Sequence, residues 1–153
     1  MDATVIAFAV FGILGQLWLV AFFAARRWAP GRADRPGRIA YGFALAGVPL
    51  AAWLVLVGAT TRLIGGPLLF AAWAALGIAV DLWRPRPWRA PPIDWPVMAP
   101  YVALFFFAQM FLWWPLWDLA RPAWLGFGLL FVANTALNLQ GHAAANRGTA
   151  PRG

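Results

Sequence analysis

The sequence predicts an all-α polytopic membrane protein in which residues 1–140 form one bundle of five transmembrane helices. Three observations lead to this prediction. The chain of 153 residues is 63% hydrophobic and only 11% charged, with a mean hydropathy of +0.69, which lies outside the usual range of soluble domains. Five apolar runs approach or exceed the roughly 20 residues that a helix needs to cross the hydrocarbon core. All twelve cationic residues are arginines, and they lie at the ends of those runs.

The first apolar run covers about residues 4–25, with Asp2 ahead of it and Arg26 and Arg27 directly behind it. This charge order is the reverse of a signal peptide's, so we expect the run to remain as a membrane helix with its N-terminus outside. The segment 26–38 then carries five of the twelve cationic residues. Because cytoplasmic loops retain arginine whereas translocated loops lose it, this segment is predicted to be the first cytoplasmic loop.

The second run covers about residues 39–58 and the third about 67–82, with a short turn expected between them at 59–66. The third run is short for a span, so we expect it to borrow residues from its flanks. Small residues recur at helical spacing in both runs, a pattern that permits close approach of helix backbones. They are Ala40, Ala44, Gly47 and Ala51 in the second run, and Ala71, Ala75 and Ala79 in the third. These two helices are therefore predicted to form the tightly packed centre.

A second segment rich in Arg and Pro, residues 83–94, leads into the fourth run at about 95–117, which is the most aromatic of the five. A tight turn then precedes the fifth run at about 123–140. The remaining residues, 141–153, are polar, and we expect this C-terminal tail to be disordered.

Five spans place the connecting segments alternately on two sides of the membrane. Ten arginines fall on one side, and only Arg62 and Arg121 fall on the other. This asymmetry predicts that the N-terminus lies outside and the C-terminus in the cytoplasm, most simply in a bacterial cytoplasmic (inner) membrane. Tryptophans are expected at both interfaces, with Trp113, Trp114, Trp117 and Trp124 outside and Trp28, Trp83, Trp88 and Trp95 inside.

Self-comparison of the sequence at an offset of 60 aligns several residues of the two basic segments and the helices that follow them. The aligned pairs are Arg26 with Arg86, Trp28 with Trp88, Asp34 with Asp94, Pro36 with Pro96, Tyr41 with Tyr101 and Trp53 with Trp113. One interpretation is a parallel repeat of a two-helix unit, a symmetry that membrane transporters use. The other is that two interfacial segments of biased composition resemble each other independently. The fifth helix has no counterpart in such a repeat.

The net charge of +7 favours a partner of negative charge. Because the arginines flank apolar runs, we expect that partner to be the anionic head groups of membrane lipids. Nucleic acid is not expected, since its binding requires a basic face on a folded polar domain. The arginines predicted to contact lipid head groups are Arg32, Arg35, Arg38, Arg86 and Arg89.

The residue types available for chemistry are few, because the chain has no cysteine and a single histidine, His142, and contains no glutamate. Disulfides and cysteine-ligated metals are thereby excluded. No carboxylate pair or catalytic triad is evident, so we predict no catalytic residue, metal site or cofactor and no enzymatic activity. Asp81, near the end of the third run, has two interpretations: an ion pair with Arg84 or Arg38, or a proton-coupling site.

Four amide side chains within the spans are the candidate ligand-binding residues: Gln16, Gln109, Asn134 and Asn138. Asn134, Asn138 and His142 recur every four residues and therefore share one helix face, which should look towards protein or a cavity. One interpretation is that these amides join helices, at about 0.6 kcal/mol per hydrogen bond. The other is that they line a pocket whose remaining wall is aromatic.

Together these features predict a small integral membrane protein that serves as a scaffold or as a subunit of a membrane complex, with a membrane protein or a second copy of the chain as partner. The alternative is a binder or carrier of an apolar small molecule, such as a lipid, pigment or sterol-like compound, held between helices in an aromatic pocket. An ion or proton transporter is disfavoured because no charged residue lies near the middle of a span.

Overall fold

The computed structural model describes residues 2–32, 34–83 and 92–148, with side chains as far as Gln140. Within these ranges the regular structure is entirely helical, and no strand occurs. Five helical spans are long and apolar enough to cross a membrane. The predicted all-α class with five spans is therefore confirmed.

Helix α1, Ala3–Trp28, is the first span. At its start Asp2 Oδ1 accepts a hydrogen bond from the Thr4 backbone N–H at 3.3 Å, which satisfies one of the N–H groups that have no partner inside the helix. Arg26 and Arg27 lie in its last turn, where the carbonyl end of a helix favours cations. In its described residues the predicted basic loop 26–38 is thus largely helical, with a 3-10 turn, Pro30–Arg32, between α1 and the next helix.

Helices α2, Asp34–Leu45, and α3, Gly47–Leu56, form the second span, with a break at Ala46. Pro49 accounts for the break because it has no backbone N–H to donate to the Leu45 carbonyl four residues earlier. Pro100 lies near the start of a later helix and does not interrupt it.

Helix α4, Thr61–Gly77, continues into a π-helical segment, Ile78–Trp83, and together they form the third span. The prediction of a turn at 59–66 is therefore wrong from Thr61 onwards. The third span extends into its N-terminal flank, as expected. Glycine at position 66 lies within α4 and serves helix packing. A Cβ at Gly66 would lie 2.9 Å from the Phe111 carbonyl oxygen, so glycine here permits close approach of the next span.

The fourth span consists of helix α5, Trp95–Trp113, and the short helix α6, Leu116–Leu119. Helix α7, Arg121–Gly148, contains the fifth span. The tail predicted to be disordered begins at Gly141, but the α7 backbone continues past that residue to Gly148. Three consecutive alanines, 143–145, explain this extension, since alanine has the highest helix propensity. Residues 149–153 lie outside the described part of the chain.

Helices α1 and α4 occupy the centre of the bundle. Helix α1 packs against α7 and α2, while α4 packs against α5, α3 and α2. The second and third spans approach closely at Gly47, where an added Cβ would overlap the Pro67 carbonyl. The predicted stripe of small residues on the second span is buried as expected. On the third span the prediction is wrong for Ala75, which is exposed, because α4 turns the face of Gly66, Phe70 and Ala74 towards its neighbours.

Candidate functional site

Three of the four predicted amide residues meet in the interior of the bundle. Gln16 on α1, Gln109 on α5 and Asn134 on α7 are each at most 1% exposed. Asn134 Nδ2 donates a hydrogen bond to Gln16 Oε1, and Gln16 Nε2 donates to Gln109 Oε1. We call these three residues the amide chain. Asn138, the fourth predicted residue, is half-buried one turn further along α7, and the side chain of His142 lies outside the described residues.

The amide chain has one end with an unused donor. Gln109 Nε2 is buried and has no hydrogen-bond partner, whereas the Asn134 oxygen at the other end accepts from the Thr135 hydroxyl at 3.4 Å. The three amide oxygens are thus all used as acceptors, while the final NH2 group is not used as a donor. Whether the chain binds a ligand stays a prediction.

A second polar cluster joins three elements near the basic end of the bundle. The Tyr41 hydroxyl on α2 donates to Asp81 Oδ2 at 2.7 Å and lies 3.0 Å from the Tyr101 hydroxyl on α5. Since a hydroxyl has one proton, Tyr101 must donate to Tyr41. Gly77, which precedes the π-helical segment, makes room for Tyr41, because a Cβ there would lie 2.8 Å from the Tyr41 hydroxyl oxygen.

The Asp81 carboxylate therefore has a hydroxyl partner that the sequence analysis did not foresee. The ion-pair partner proposed within the second basic segment, Arg84, lies outside the described residues. Tyr41 and Tyr101 were not among the candidate site residues, although the offset of 60 paired them. The buried indole of Trp73 packs between both tyrosine rings, with ring centroids 5.1 Å and 5.6 Å away.

Tryptophans form a cavity of about 290 Å³ at the opposite end of the bundle, where α5, α6 and α7 meet. Its lining residues are Met110, Trp113, Trp114, Trp117 and Trp124. The Trp113 and Trp124 rings stack at 5.2 Å, and Trp113 Nε1 donates to the Trp124 carbonyl at 2.9 Å. The four tryptophans that the sequence assigned to one interface are therefore clustered. We call this feature the tryptophan cavity.

Aromatic rings continue from the tryptophan cavity towards the amide chain. The Trp113 ring on α5 contacts the rings of Phe127 and Phe131 on α7, with centroids 6.3 Å and 5.9 Å apart. Gln109 precedes Trp113 by four residues and Asn134 follows Phe131 by three, so each amide shares a helix face with its aromatic neighbour. The cavity and the amide chain thus lie along the same pair of helices.

The basic segment forms exposed clefts at the start of α2. Arg32, Arg35 and Arg38 are all exposed, and they line two adjoining clefts of about 460 Å³ and 430 Å³. Asp34 also lines both clefts, so the surface is not purely cationic. Arg86 and Arg89, the other residues predicted to contact head groups, lie outside the described residues, and lipid binding stays a prediction.

No group of three or more side chains suited to hold a metal ion occurs among the described residues. No family model, curated protein or solved structure matches the chain.

Proposed function

We propose that this chain is an integral membrane protein that acts as a scaffold or subunit of a membrane complex. The observation that carries the proposal is the uneven burial of the spans. In their most apolar windows the first three spans are 44%, 33% and 44% buried, whereas the last two are only 17% and 11% buried. The fourth and fifth spans therefore present most of their surface outwards, where another membrane protein or a second copy of the chain can dock.

The composition of this outward surface supports a protein partner. Its large exposed side chains include Phe106, Phe107 and Phe111 on α5, Trp114 directly after it, and Leu125, Leu129, Val132 and Leu139 on α7. Aromatic residues are enriched in protein interfaces. In addition, Thr135 and Asn138 are only half-buried, and polar side chains within a span are better accommodated by protein than by lipid.

Site-specific photo-crosslinking in native membranes tests the proposal. A photoreactive residue replaces Phe107 or Leu129 on the outward surface, and the matched controls are Val10 on α1 and Val55 on α3, which are 51% and 58% exposed. We expect a discrete crosslinked protein product from the first pair and none from the controls. Equal crosslinking at all four positions, or none at any, would contradict the proposal.

A second candidate function, binding of an apolar small molecule, is favoured by the tryptophan cavity. Its volume lies near the lower end of the range of small-molecule sites, and its walls are ring faces. Gly128→Ala perturbs this cavity, because the new Cβ would lie 2.8 Å from Trp113 Cζ2. Gly126→Ala is the control, since its Cβ would lie 3.7 Å from Ile13, an ordinary contact.

Equilibrium dialysis of the purified protein in mild detergent against 2-methylnaphthalene measures this binding. We expect Gly128→Ala to weaken uptake of the probe and Gly126→Ala to leave it unchanged. If the wild-type protein takes up no more probe than empty detergent micelles do, the binding function is wrong.

A further inference from the structure

The amide chain has more donors than it can use internally. Three carboxamides carry six N–H bonds, and the chain uses two of them between its members. Because the O and N atoms of a carboxamide are assigned from the hydrogen-bond network, all three amides can also be reversed together. In the reversed direction the Asn134 NH2 would donate to the Thr135 hydroxyl oxygen, 3.4 Å away, and Gln109 Oε1 would be the unpaired atom. In the assigned direction, Gln109 Nε2 is the buried donor without a partner.

A free donor at this position needs a partner from outside the chain. Both ends of the amide chain are fully buried. A buried N–H group without an acceptor costs about 1–3 kcal/mol. An acceptor that enters the bundle would remove this cost. It can be an internal water molecule or part of a ligand.

The surroundings of the amide chain restrict the chemistry of that acceptor. Gln16, Gln109 and Asn134 are the buried polar residues among the described side chains, so a carboxylate or phosphate would lack a compensating cation. A hydroxyl would bring a proton that itself needs an acceptor. A carbonyl oxygen accepts without donating and carries no charge, so it fits both conditions.

The neighbouring aromatic rings indicate the shape and polarity of the molecule that carries the carbonyl. Gln109 lies one turn from Trp113, about 6 Å along α5, and the ring of Trp113 contacts those of Phe127 and Phe131. Rings prefer offset-stacked or edge-to-face partners, so this face of the α5 and α7 pair suits a flat apolar molecule.

We propose that the free amide of the chain donates a hydrogen bond to the carbonyl oxygen of a flat apolar molecule, such as a quinone, bound between α5 and α7. The inference rests on the second candidate function, binding of an apolar molecule, and names the class of that molecule. It assigns the amide chain two roles, since its internal bonds join three helices and its free end selects the ligand.

Two probes with the same ring system separate the carbonyl from the ring. Menadione (2-methyl-1,4-naphthoquinone) carries two carbonyls, and 2-methylnaphthalene carries none. Equilibrium dialysis in mild detergent, corrected for partition into empty micelles, gives the affinity for each. We expect the wild-type protein to prefer menadione about tenfold, which corresponds to one hydrogen bond.

Variants then identify the donor. Gln109→Met and Asn134→Met each remove one end of the chain with an uncharged side chain, and Leu112→Met is a control for repacking at a buried α5 position. We expect the preference for menadione to disappear in Gln109→Met and to persist in Asn134→Met, because Gln109 carries the free NH2. The control should keep the full preference, and thermal melting of each variant checks that it is folded.

The outcomes distinguish the inference from the function on which it rests. Equal affinity of the wild type for the two probes would overturn the carbonyl inference and leave the apolar site standing, as expected if water satisfies the free amide. Uptake of neither probe would overturn both. A preference that persists in Gln109→Met, or disappears in Asn134→Met, would also overturn the assignment of the donor.

Discussion

Asp81 is half-buried and belongs to a cluster with two tyrosines. Its carboxylate accepts from Tyr41, and Tyr41 accepts from Tyr101, so three elements are joined by two hydroxyl protons. Hydrogen bonds to charged groups are worth more than those between neutral groups. The bond to Asp81 should therefore contribute more than the bond between the two tyrosines.

The first prediction compares the two tyrosines. Tyr41→Phe removes both hydrogen bonds and leaves Asp81 without this donor, so we expect the free energy of unfolding to fall by about 1–3 kcal/mol. Tyr101→Phe removes only the bond between the tyrosines, and we expect a smaller loss. Reversible denaturation in detergent, followed by tryptophan fluorescence, measures both. Equal losses would mean that the bond to Asp81 adds no stability.

The helix break between α2 and α3 affects how the second span packs against its neighbours. It lies within a span, directly before Gly47, where the second span meets the Pro67 carbonyl of α4. The break and the close approach are therefore adjacent in sequence. A side chain at position 47 would separate the two spans at this point.

The second prediction is that Gly47→Ala destabilises the bundle. Its Cβ would overlap backbone rather than a movable side chain, and overpacking of this kind costs about 1–3 kcal/mol. Gly42→Ala on α2 is the control, because no atom lies within 4 Å of its Cβ and alanine in a helix is favoured over glycine by about 0.5–1 kcal/mol. Thermal unfolding should shift in opposite directions for the two variants. A Gly47→Ala variant as stable as the wild type would contradict the close approach.

The proposed repeat also belongs to the scale of elements. Asp34 is the first residue of α2 and Asp94 directly precedes α5, so the aligned pair occupies equivalent helix ends. Tyr41 and Tyr101 touch, as equivalent residues near a symmetry axis would. Trp53 is exposed whereas Trp113 is half-buried, which a strict repeat does not explain. Both interpretations of the offset therefore stay open.

Orientation in the membrane is a property of the whole molecule. Successive spans alternate in direction, so the connection between α1 and α2 lies at one end of the bundle and the turn after α3 at the other. We predict that reporter fusions after Gly31 and Gly153 are cytoplasmic, whereas fusions after Gly58 and Leu119 are external, because the arginines favour the cytoplasmic side. An external signal at Gly31 would contradict the predicted orientation.

The charge asymmetry of the molecule yields the fourth prediction. Replacing Arg32, Arg35 and Arg38 together by Gln should weaken association with anionic lipid by about 1 kcal/mol per residue. The control replaces Arg62 and Arg121 at the other end of the bundle. Retention of phosphatidylglycerol after detergent purification, measured by native mass spectrometry, compares the two. Unchanged retention in the triple variant would limit these arginines to a role in orientation.

The sequence by itself determined the number of spans, most of their boundaries and the polar residues within them. These properties are local, because the length and hydropathy of a segment decide whether it can cross a membrane. The predictions from sequence are wrong at residues 61–66 and 141–148, for two different reasons. The glycines at 65 and 66 favour a turn in the sequence, but Gly66 contacts a different helix. The segment 141–148 is polar, but its alanines favour helix.

Only the tertiary structure decided which residues meet. Gln16 is 93 residues from Gln109 and 118 from Asn134 in the sequence, and Tyr41 is 40 residues from Asp81. These contacts depend on how each helix is rotated about its axis. In a soluble protein the apolar face of a helix reveals that rotation, but lipid is as apolar as a packed core, so inner and outer faces look alike in the sequence. The rotation is fixed instead by close contacts between helices, such as Gly47 with Pro67 and Gly128 with Trp113.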